Sequence, residues 1–216
     1  MSRRKIAEAL IDEQGELFSV QVGANIARDV PQQWFHWLLT VQLCSARISG
    51  AQALQAAKAL KDEGLHKVKT LLESDRQRRI RVLNRNGYAR FDNLGADQIR
   101  AAADLVDRSY GGDLRRLREA AGGDAGEIRR LLQEVKGIGP AGADIFCREA
   151  QLVWDELAPT ADRLCLDMAA ELGLPDEAGA LSRLAGDRES FVHLLAALAR
   201  AKLDGPSGRV RAAAGQ

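Results

Sequence analysis

A short glycine-containing turn is the first place in this sequence where chemistry is expected. The segment reads Val-Lys-Gly-Ile-Gly-Pro over residues 135–140, and it follows one apolar-periodic helix and precedes another. Glycine permits a positive φ or a close approach of the backbone, and proline at a first helical position has its φ preset and no N–H to leave unpaired. Exposed amide groups at a helix N-terminus attract a phosphate. The turn therefore predicts a contact to a phosphate backbone.

A helix, a tight turn and a second helix in this order form the helix-hairpin-helix pattern, which grips nucleic acid without reading its sequence. The pattern spans residues 127–152 here. Its candidate DNA-binding residues are Lys136, Gly137, Ile138, Gly139 and Ala141. A plain turn between two helices can carry the same glycines, so Gly-x-Gly spacing alone leaves both interpretations open.

A basic segment over residues 75–86 is a second candidate for phosphate contact. It carries five arginines, and Arg90 lies just beyond it. Arginine-rich helices are also common as solvated faces, so this interpretation stays open beside a phosphate-contacting patch that includes Arg85 and Arg90. The net charge of +1 provides no global basic field. Nucleic-acid binding would therefore have to depend on a local patch.

The elements that must position these residues are helices. Apolar residues recur at helical spacing and no stretch alternates convincingly with period two, so we expect an all-α fold. The nearly apolar helix over 31–46 belongs at the centre of a bundle, with His36 as a partnered structural histidine. Other helices are predicted near 2–14, 51–63, 65–74, 75–86, 95–110, 113–121, 124–135, 161–172, 176–184 and 188–202. Residues 17–22 favour a short extended piece, and residues 205–216 a disordered tail.

Composition narrows the class of protein. At 216 residues the chain is long enough for one large domain or two small ones. Three widely separated cysteines argue against a disulfide framework and for a reducing compartment, so we expect a cytoplasmic protein. No apolar run approaches about 20 residues, so no membrane span is expected. No Cys/His group has zinc spacing, so no metal site is expected.

Two runs carry a more specific resemblance. VKGIGPAGADIF, followed after a loop by PTADRLCLDMAAELGLP, resembles the helix-hairpin-helix DNA glycosylases of the endonuclease III superfamily. In that family an aspartate follows the hairpin and precedes a short helix with a Leu-Gly-Leu-like ending. Asp162 stands ten residues before Leu172, where that aspartate falls. The resemblance covers about 31–175, including 43–47, which looks like the family's Leu-Ser-Ala-Gln segment, and 86–90, similar to its Gly-Leu/Tyr turn.

The resemblance implies a two-lobed helical fold with a cleft between the lobes. A barrel domain would occupy residues 31–146, and residues 1–30 with 153–204 would form the second lobe. Such a protein would be a base-excision repair enzyme, expected as a monomer, that flips a damaged base out of double-stranded DNA and hydrolyses its N-glycosidic bond. Asp162 would be the catalytic residue, because a carboxylate stabilises oxocarbenium-like charge and can orient a water.

Departures from the family narrow the implied activity. The lysine of bifunctional members is replaced by Ala141, so no Schiff base can form and the enzyme would be a monofunctional glycosylase. No cysteine follows Cys165, which implies that the family's iron–sulfur cluster is absent. Arg47 replaces the intercalating glutamine and could fill the gap left by a flipped base. The family often binds a monovalent cation through hairpin carbonyls, the one cofactor that the resemblance leaves open.

Several alternatives remain at this stage. Asp162 also suits a purely structural role as a helix N-cap, and Asp144 and Asp167 are alternative carboxylates. The large aromatic residues could line a base pocket or fill the core; these are Trp34, Trp37, Tyr88 and Trp154. Three functions stay open: a monofunctional DNA glycosylase, a non-catalytic DNA-binding protein of the same fold, and a helical scaffold whose hairpin contacts protein.

Overall fold

The computed structural model describes residues 2–215, and the regular structure in this part of the chain is helical. This part is 72% helix and contains no strand, which confirms the expected all-α class. The first helices are α1 (Arg3–Gln14), α2 (Phe18–Gln21), α3 (Pro31–Cys44), α4 (Gly50–Asp62), α5 (Val68–Glu73), α6 (Arg76–Leu83) and α7 (Asp92–Tyr110). The later ones are α8 (Arg116–Ala120), α9 (Ala125–Leu132), α10 (Pro140–Ala150), α11 (Arg163–Glu171), α12 (Ala178–Ala185), α13 (Arg188–Asp204) and α14 (Gly208–Ala214). None of these helices is long and apolar enough to cross a lipid bilayer.

The chain divides into two compact units. The central unit is Ser19–Phe146, and the terminal unit combines Met1–Phe18 with Cys147–Gln216. The division assigns residues 19–30 to the central unit, whereas the sequence placed them with the chain ends. Asp29 shows the physical reason: its carboxylate accepts a hydrogen bond from Trp34 Nε1 at 2.7 Å, and its carbonyl accepts one from Arg115 Nη1 at 2.6 Å.

Helix α3 forms the core of the central unit. Every residue from Trp34 to Leu43 is buried, as the apolar sequence of this helix predicts. Trp34, Trp37 and Tyr88 are all core residues, and Trp154 is equally buried in the terminal unit. His36 is fully buried, and its Nε2 lies 2.8 Å from the carbonyl oxygen of Ala57, so it is the partnered structural histidine that the sequence suggests.

The terminal unit is built on helix α13. The apolar face of α13 packs with buried side chains of α1 and α11. Two expectations about local structure are wrong, one for residues 17–22 and one for the C-terminal tail. The residues expected to be extended form α2, whose first amide, Phe18 N–H, donates to Glu149 Oε1 at 2.7 Å. The four residues Phe-Ser-Val-Gln alternate apolar and polar side chains, but they are too few to separate period two from a helical turn.

The C-terminal tail, expected to be disordered, forms α14 instead. Ser207 Oγ accepts the amide of Val210 at 3.3 Å, Val210 is fully buried, and Arg209 pairs with Asp12 and Glu13 of α1. Glycine and proline content suggested a flexible tail. The Ser207 N-cap before an alanine-rich run, together with docking on α1, overrides that composition.

Burial of His36 predicts a pH-dependent loss of stability. Desolvation of the ring lowers the pKa of His36 from 6.5 to about 4. The unfolded chain therefore takes up a proton below pH 6.5 that the folded chain resists, so this stability is complete above that pH and is lost toward pH 4. Urea unfolding from about pH 7 to about pH 4.5 should show about 2.5 kcal/mol more loss in the wild type than in His36→Gln. Equal losses in the two proteins would contradict the assignment.

Candidate nucleic-acid interface

The glycine turn, residues 133–139, connects α9 to α10. Gly137 has φ +97, and a Cβ atom added to it would lie 2.7 Å from Gln98 Nε2. The left-handed backbone therefore favours glycine at this position, as the sequence predicts. The close neighbour is the end of the flexible Gln98 side chain, which can move aside. Ile138 is 4% exposed and its N–H donates to Val135 O at 2.9 Å. The Ile138 side chain thus anchors the turn instead of facing solvent.

Gly139 occupies a different environment from Gly137. Its φ is not in the left-handed range, and a Cβ atom would meet nothing within 4 Å. The carbonyl of Gly139 accepts the first helical hydrogen bond of α10, from Ala143 N at 2.9 Å, so Gly139 is the N-cap residue. Conformation does not require glycine here; what its small size provides is open space in front of the helix.

The start of α10 lacks a capping side chain. Helices α1, α3, α5, α7, α8 and α12 share this feature. In six others a serine or aspartate side chain accepts an amide of the first helical turn; these caps are Ser49, Asp75, Asp124, Asp162, Asp187 and Ser207. Gly139 has no side chain that could do so, and Pro140 follows as the first helical residue. The amides of Ala141 and Gly142 have no acceptor within the helix. Ala141 is exposed, whereas Gly142 is buried. An anion could bind at this position.

The C-terminal end of α3 supports the turn from the protein side. Gln42 is 2% exposed, and its Nε2 donates to Lys136 O at 2.7 Å and to Gln98 O at 3.1 Å. Ser45 Oγ lies 2.7 Å from where a Cβ of Gly142 would be, which explains a glycine in the first turn of α10. Sequence reasoning did not identify Gln42. The sequence feature that could have indicated it is a glutamine side chain among the mostly apolar residues at the C-terminal end of α3.

The segment that carries Arg85 and Arg90 contacts the same end of α3. Tyr88, at the end of a short π-helical turn (Asn84–Tyr88), donates its hydroxyl to Leu43 O at 3.3 Å. Lys136, Arg47, Arg85 and Arg90 are all exposed, and within the described residues none of them makes an ion pair. The segment with Arg85 and Arg90 and the glycine turn with Lys136 thus both contact the end of α3, which Arg47 follows in the chain. The Arg90 guanidinium lies over the ring of Phe91, 5.3 Å from its centroid.

Three other arginines of the basic segment have partners within the protein, whereas Arg81 is exposed. Arg76 pairs with Asp97 at 2.7 Å, and Arg78 lies 3.8 Å from a carboxylate oxygen of Glu63. Arg79 is 5% exposed and donates to the carbonyls of Ala96 and Ser74. The interpretation of this whole segment as a phosphate-contacting face is therefore too broad, because these arginines already have partners.

Asp162 lies in the terminal unit, where both oxygens of its carboxylate are engaged. Oδ1 accepts the amide of Cys165 at 3.0 Å, so Asp162 is the N-cap of α11. Oδ2 accepts Arg148 Nε at 2.6 Å and Nη2 at 2.5 Å. The Asp162 and Arg148 side chains are only 8% and 7% exposed. Asp162 therefore caps α11, as its sequence position suggests, and the buried guanidinium of Arg148 balances its negative charge. Catalysis by Asp162 stays a prediction.

The alternative carboxylates are also paired with arginine. Asp144 lies 3.3 Å from Arg129 and Asp167 lies 2.7 Å from Arg163, and both carboxylates are far more exposed than that of Asp162. Within residues 2–215 no three His, Cys, Asp or Glu side chains are arranged to hold a metal ion. Comparison with family models, with curated proteins and with solved structures finds no match to this chain.

The buried Arg148–Asp162 pair predicts a large stability loss when one partner is removed. Arg148→Met leaves the Asp162 carboxylate buried without its counter-charge, which should cost about 3–5 kcal/mol in the free energy of unfolding. The double variant Arg148→Met/Asp162→Asn should recover most of this loss, because no unpaired charge remains. Chemical denaturation of the two variants measures the difference. A single variant as stable as the wild type would show that the pair is not buried in solution.

Proposed function

We propose that this chain binds double-stranded DNA independently of sequence, through a helix-hairpin-helix formed by α9, the glycine turn and α10. The observation that carries the proposal is the uncapped start of α10 beside exposed cations. Gly139 has no side chain that could accept a hydrogen bond from the first amides of α10. Lys136 and Arg47 lie on segments that meet at the same end of α3. Phosphate oxygens are acceptors that suit both the amides and the positive charges.

The side chains of the turn favour contact with the DNA backbone over contact with bases. Direct readout of bases needs polar side chains that reach into a groove, whereas residues 137–141 are Gly, Ile, Gly, Pro and Ala. Backbone amides and Lys136 can recognise a phosphate but carry no sequence information. Binding should therefore be strongly dependent on salt and nearly indifferent to base sequence.

The same residues argue against a protein partner at the turn. Protein interfaces are centred on apolar and aromatic side chains that become fully buried. Ile138 is already packed into the central unit, and the exposed large apolar residues, Val20, Leu94 and Leu203, lie outside the turn. The turn therefore lacks the exposed apolar side chain that a contact between the hairpin and another protein would need.

Monofunctional base excision is the second candidate function. The observation in its favour is that Asp162 stands at the N-terminus of a helix, α11, that ends in Leu-Gly-Leu, in the order that the glycosylase resemblance requires. Ala141 cannot form a Schiff base, so water would have to be the nucleophile. The ion pair with Arg148 opposes this function, because it balances the charge that would stabilise an oxocarbenium ion. A base-flipping cleft between two lobes, and a monomeric state, belong to this proposal as predictions.

A monovalent cation at the hairpin also stays a prediction. Three carbonyls of the turn already accept hydrogen bonds within the chain: Val135 from Ile138 N, Lys136 from Gln42 Nε2 and Gly139 from Ala143 N. A cation on these oxygens would have to share them. DNA binding as proposed requires no such ion.

Substituting Gly139 tests the turn as the DNA contact. Gly139→Ala meets no steric obstacle, so the free energy of unfolding should change by less than about 1 kcal/mol. Its methyl group would occupy the space where a phosphate approaches, so duplex affinity at low salt should fall about tenfold. Fluorescence anisotropy with unrelated duplexes measures the effect. Gly208→Ala, also without steric obstacle, is the matched control and should bind like the wild type; unchanged binding by Gly139→Ala would contradict the proposed contact.

An excision screen tests the second candidate function. Duplexes that contain uracil, hypoxanthine, alkylated or oxidised bases should acquire abasic sites that become strand breaks only after alkali treatment. Asp162→Asn should abolish this activity, whereas Asp167→Asn, an aspartate of the same helix, should retain it. Full activity of Asp162→Asn would defeat the assignment of Asp162. The absence of abasic sites across the panel, with duplex binding intact, would leave DNA binding as the function.

A further inference from the structure

We propose that Gln42 is the positioning residue of the glycine turn: its buried amide sets the direction of the peptide between Lys136 and Gly137. This inference rests on the proposed DNA contact and concerns how the turn is held ready for a phosphate. Gln42 lies near the end of α3, is 2% exposed, and cannot itself touch a ligand at the surface.

The two N–H groups of the Gln42 amide connect separate parts of the central unit. Nε2 donates to Lys136 O at 2.7 Å, in the turn, and to Gln98 O at 3.1 Å, in α7. The side chain of Gln98 in turn faces Gly137, at the distance where a Cβ would collide with it. The amide of Gln42 therefore links the turn to α7, and the side chain of Gln98 lies beside Gly137.

The direction of one peptide group follows from this contact. In a trans peptide the C=O and the following N–H point in opposite directions. Because the Lys136 carbonyl points toward a buried side chain, the Gly137 N–H must point away from the core. Gly137 is exposed, so this amide is directed toward solvent. Gln42 thus supplies the turn with an outward donor without contacting the ligand.

The unsatisfied half of the amide shows that packing alone does not explain Gln42. Its Oε1 is buried and has no hydrogen-bond partner among the described residues. A buried acceptor without a partner destabilises the fold, and methionine would fill a similar volume without that cost. Glutamine, unlike methionine, donates two hydrogen bonds here, and one of them is accepted by Lys136 O in the turn.

The test compares Gln42→Met with Thr40→Val, a nearly isosteric change on the same helix. Thr40 is fully buried and donates to His36 O, so its substitution removes a buried hydrogen bond that does not involve the turn. Gln42→Met should lower duplex affinity about tenfold and reduce the slope of log affinity against log salt by about one, since Lys136 loses its fixed position. Thr40→Val should change neither quantity. Equal effects in the two variants would overturn the inference.

Amide hydrogen exchange without DNA separates this inference from the proposed function. Gln42→Met should raise the exchange rate of the Ile138 amide at least about tenfold, because its bond to Val135 depends on the geometry of the turn, and Thr40→Val should not. If Gln42→Met fails to fold, Gln42→Asn, whose shorter amide cannot reach both carbonyls, serves in both measurements. Unchanged exchange would overturn the role of Gln42. Wild-type protein that fails to bind duplex DNA would overturn the proposed function alone.

Discussion

The burial of α3 on all sides is the constraint on which the central unit depends. A helix without a solvent-facing side must satisfy its polar groups inside the protein. Near its C-terminal end, Tyr88 donates to the carbonyl of Leu43, and Ser45 Oγ bonds back to Val41 O at 2.8 Å. The side chain of Gln42, also near this end, donates hydrogen bonds to Lys136 O in the turn and to Gln98 O in α7. The polar end of an apolar helix is thus the point where the segments of the candidate interface meet.

Some basic side chains of this protein are paired with carboxylates and support the fold, whereas others are exposed and available to a ligand. Arg76, Arg129 and Arg148 lie within hydrogen-bond reach of carboxylates, and the last of these pairs is almost completely buried. Lys136 and Arg47 are exposed on segments next to an uncapped helix start. With a net charge of only +1, this local arrangement, and not an overall field, is what could attract a polyanion.

The carboxylate of Asp162 shows how one side chain can make two structural contacts at once. The N-cap role that its sequence position suggests is present in the structure. Arg148 adds a charge partner that the sequence analysis did not foresee, because residues fourteen positions apart meet only through the loop between α10 and α11. Gln151 closes that loop: its side chain bonds both the amide and the carbonyl of Thr160, each at 2.9 Å. Removing Arg148 would therefore alter both the charge and the stability of this site.

Local patterns by themselves determined the helical class, the burial of α3, the left-handed glycine at 137 and the start of α10 at Pro140, since periodicity, turn chemistry and proline geometry act within a few residues. Only tertiary structure decided that α14 forms, that Arg79 is buried, and that Arg148 neutralises Asp162. It also decided that Gln42 holds the turn. These four outcomes depend on contacts between residues that are distant in sequence. A single sequence shows which polar groups need a partner, but only the folded chain shows which partner each group finds.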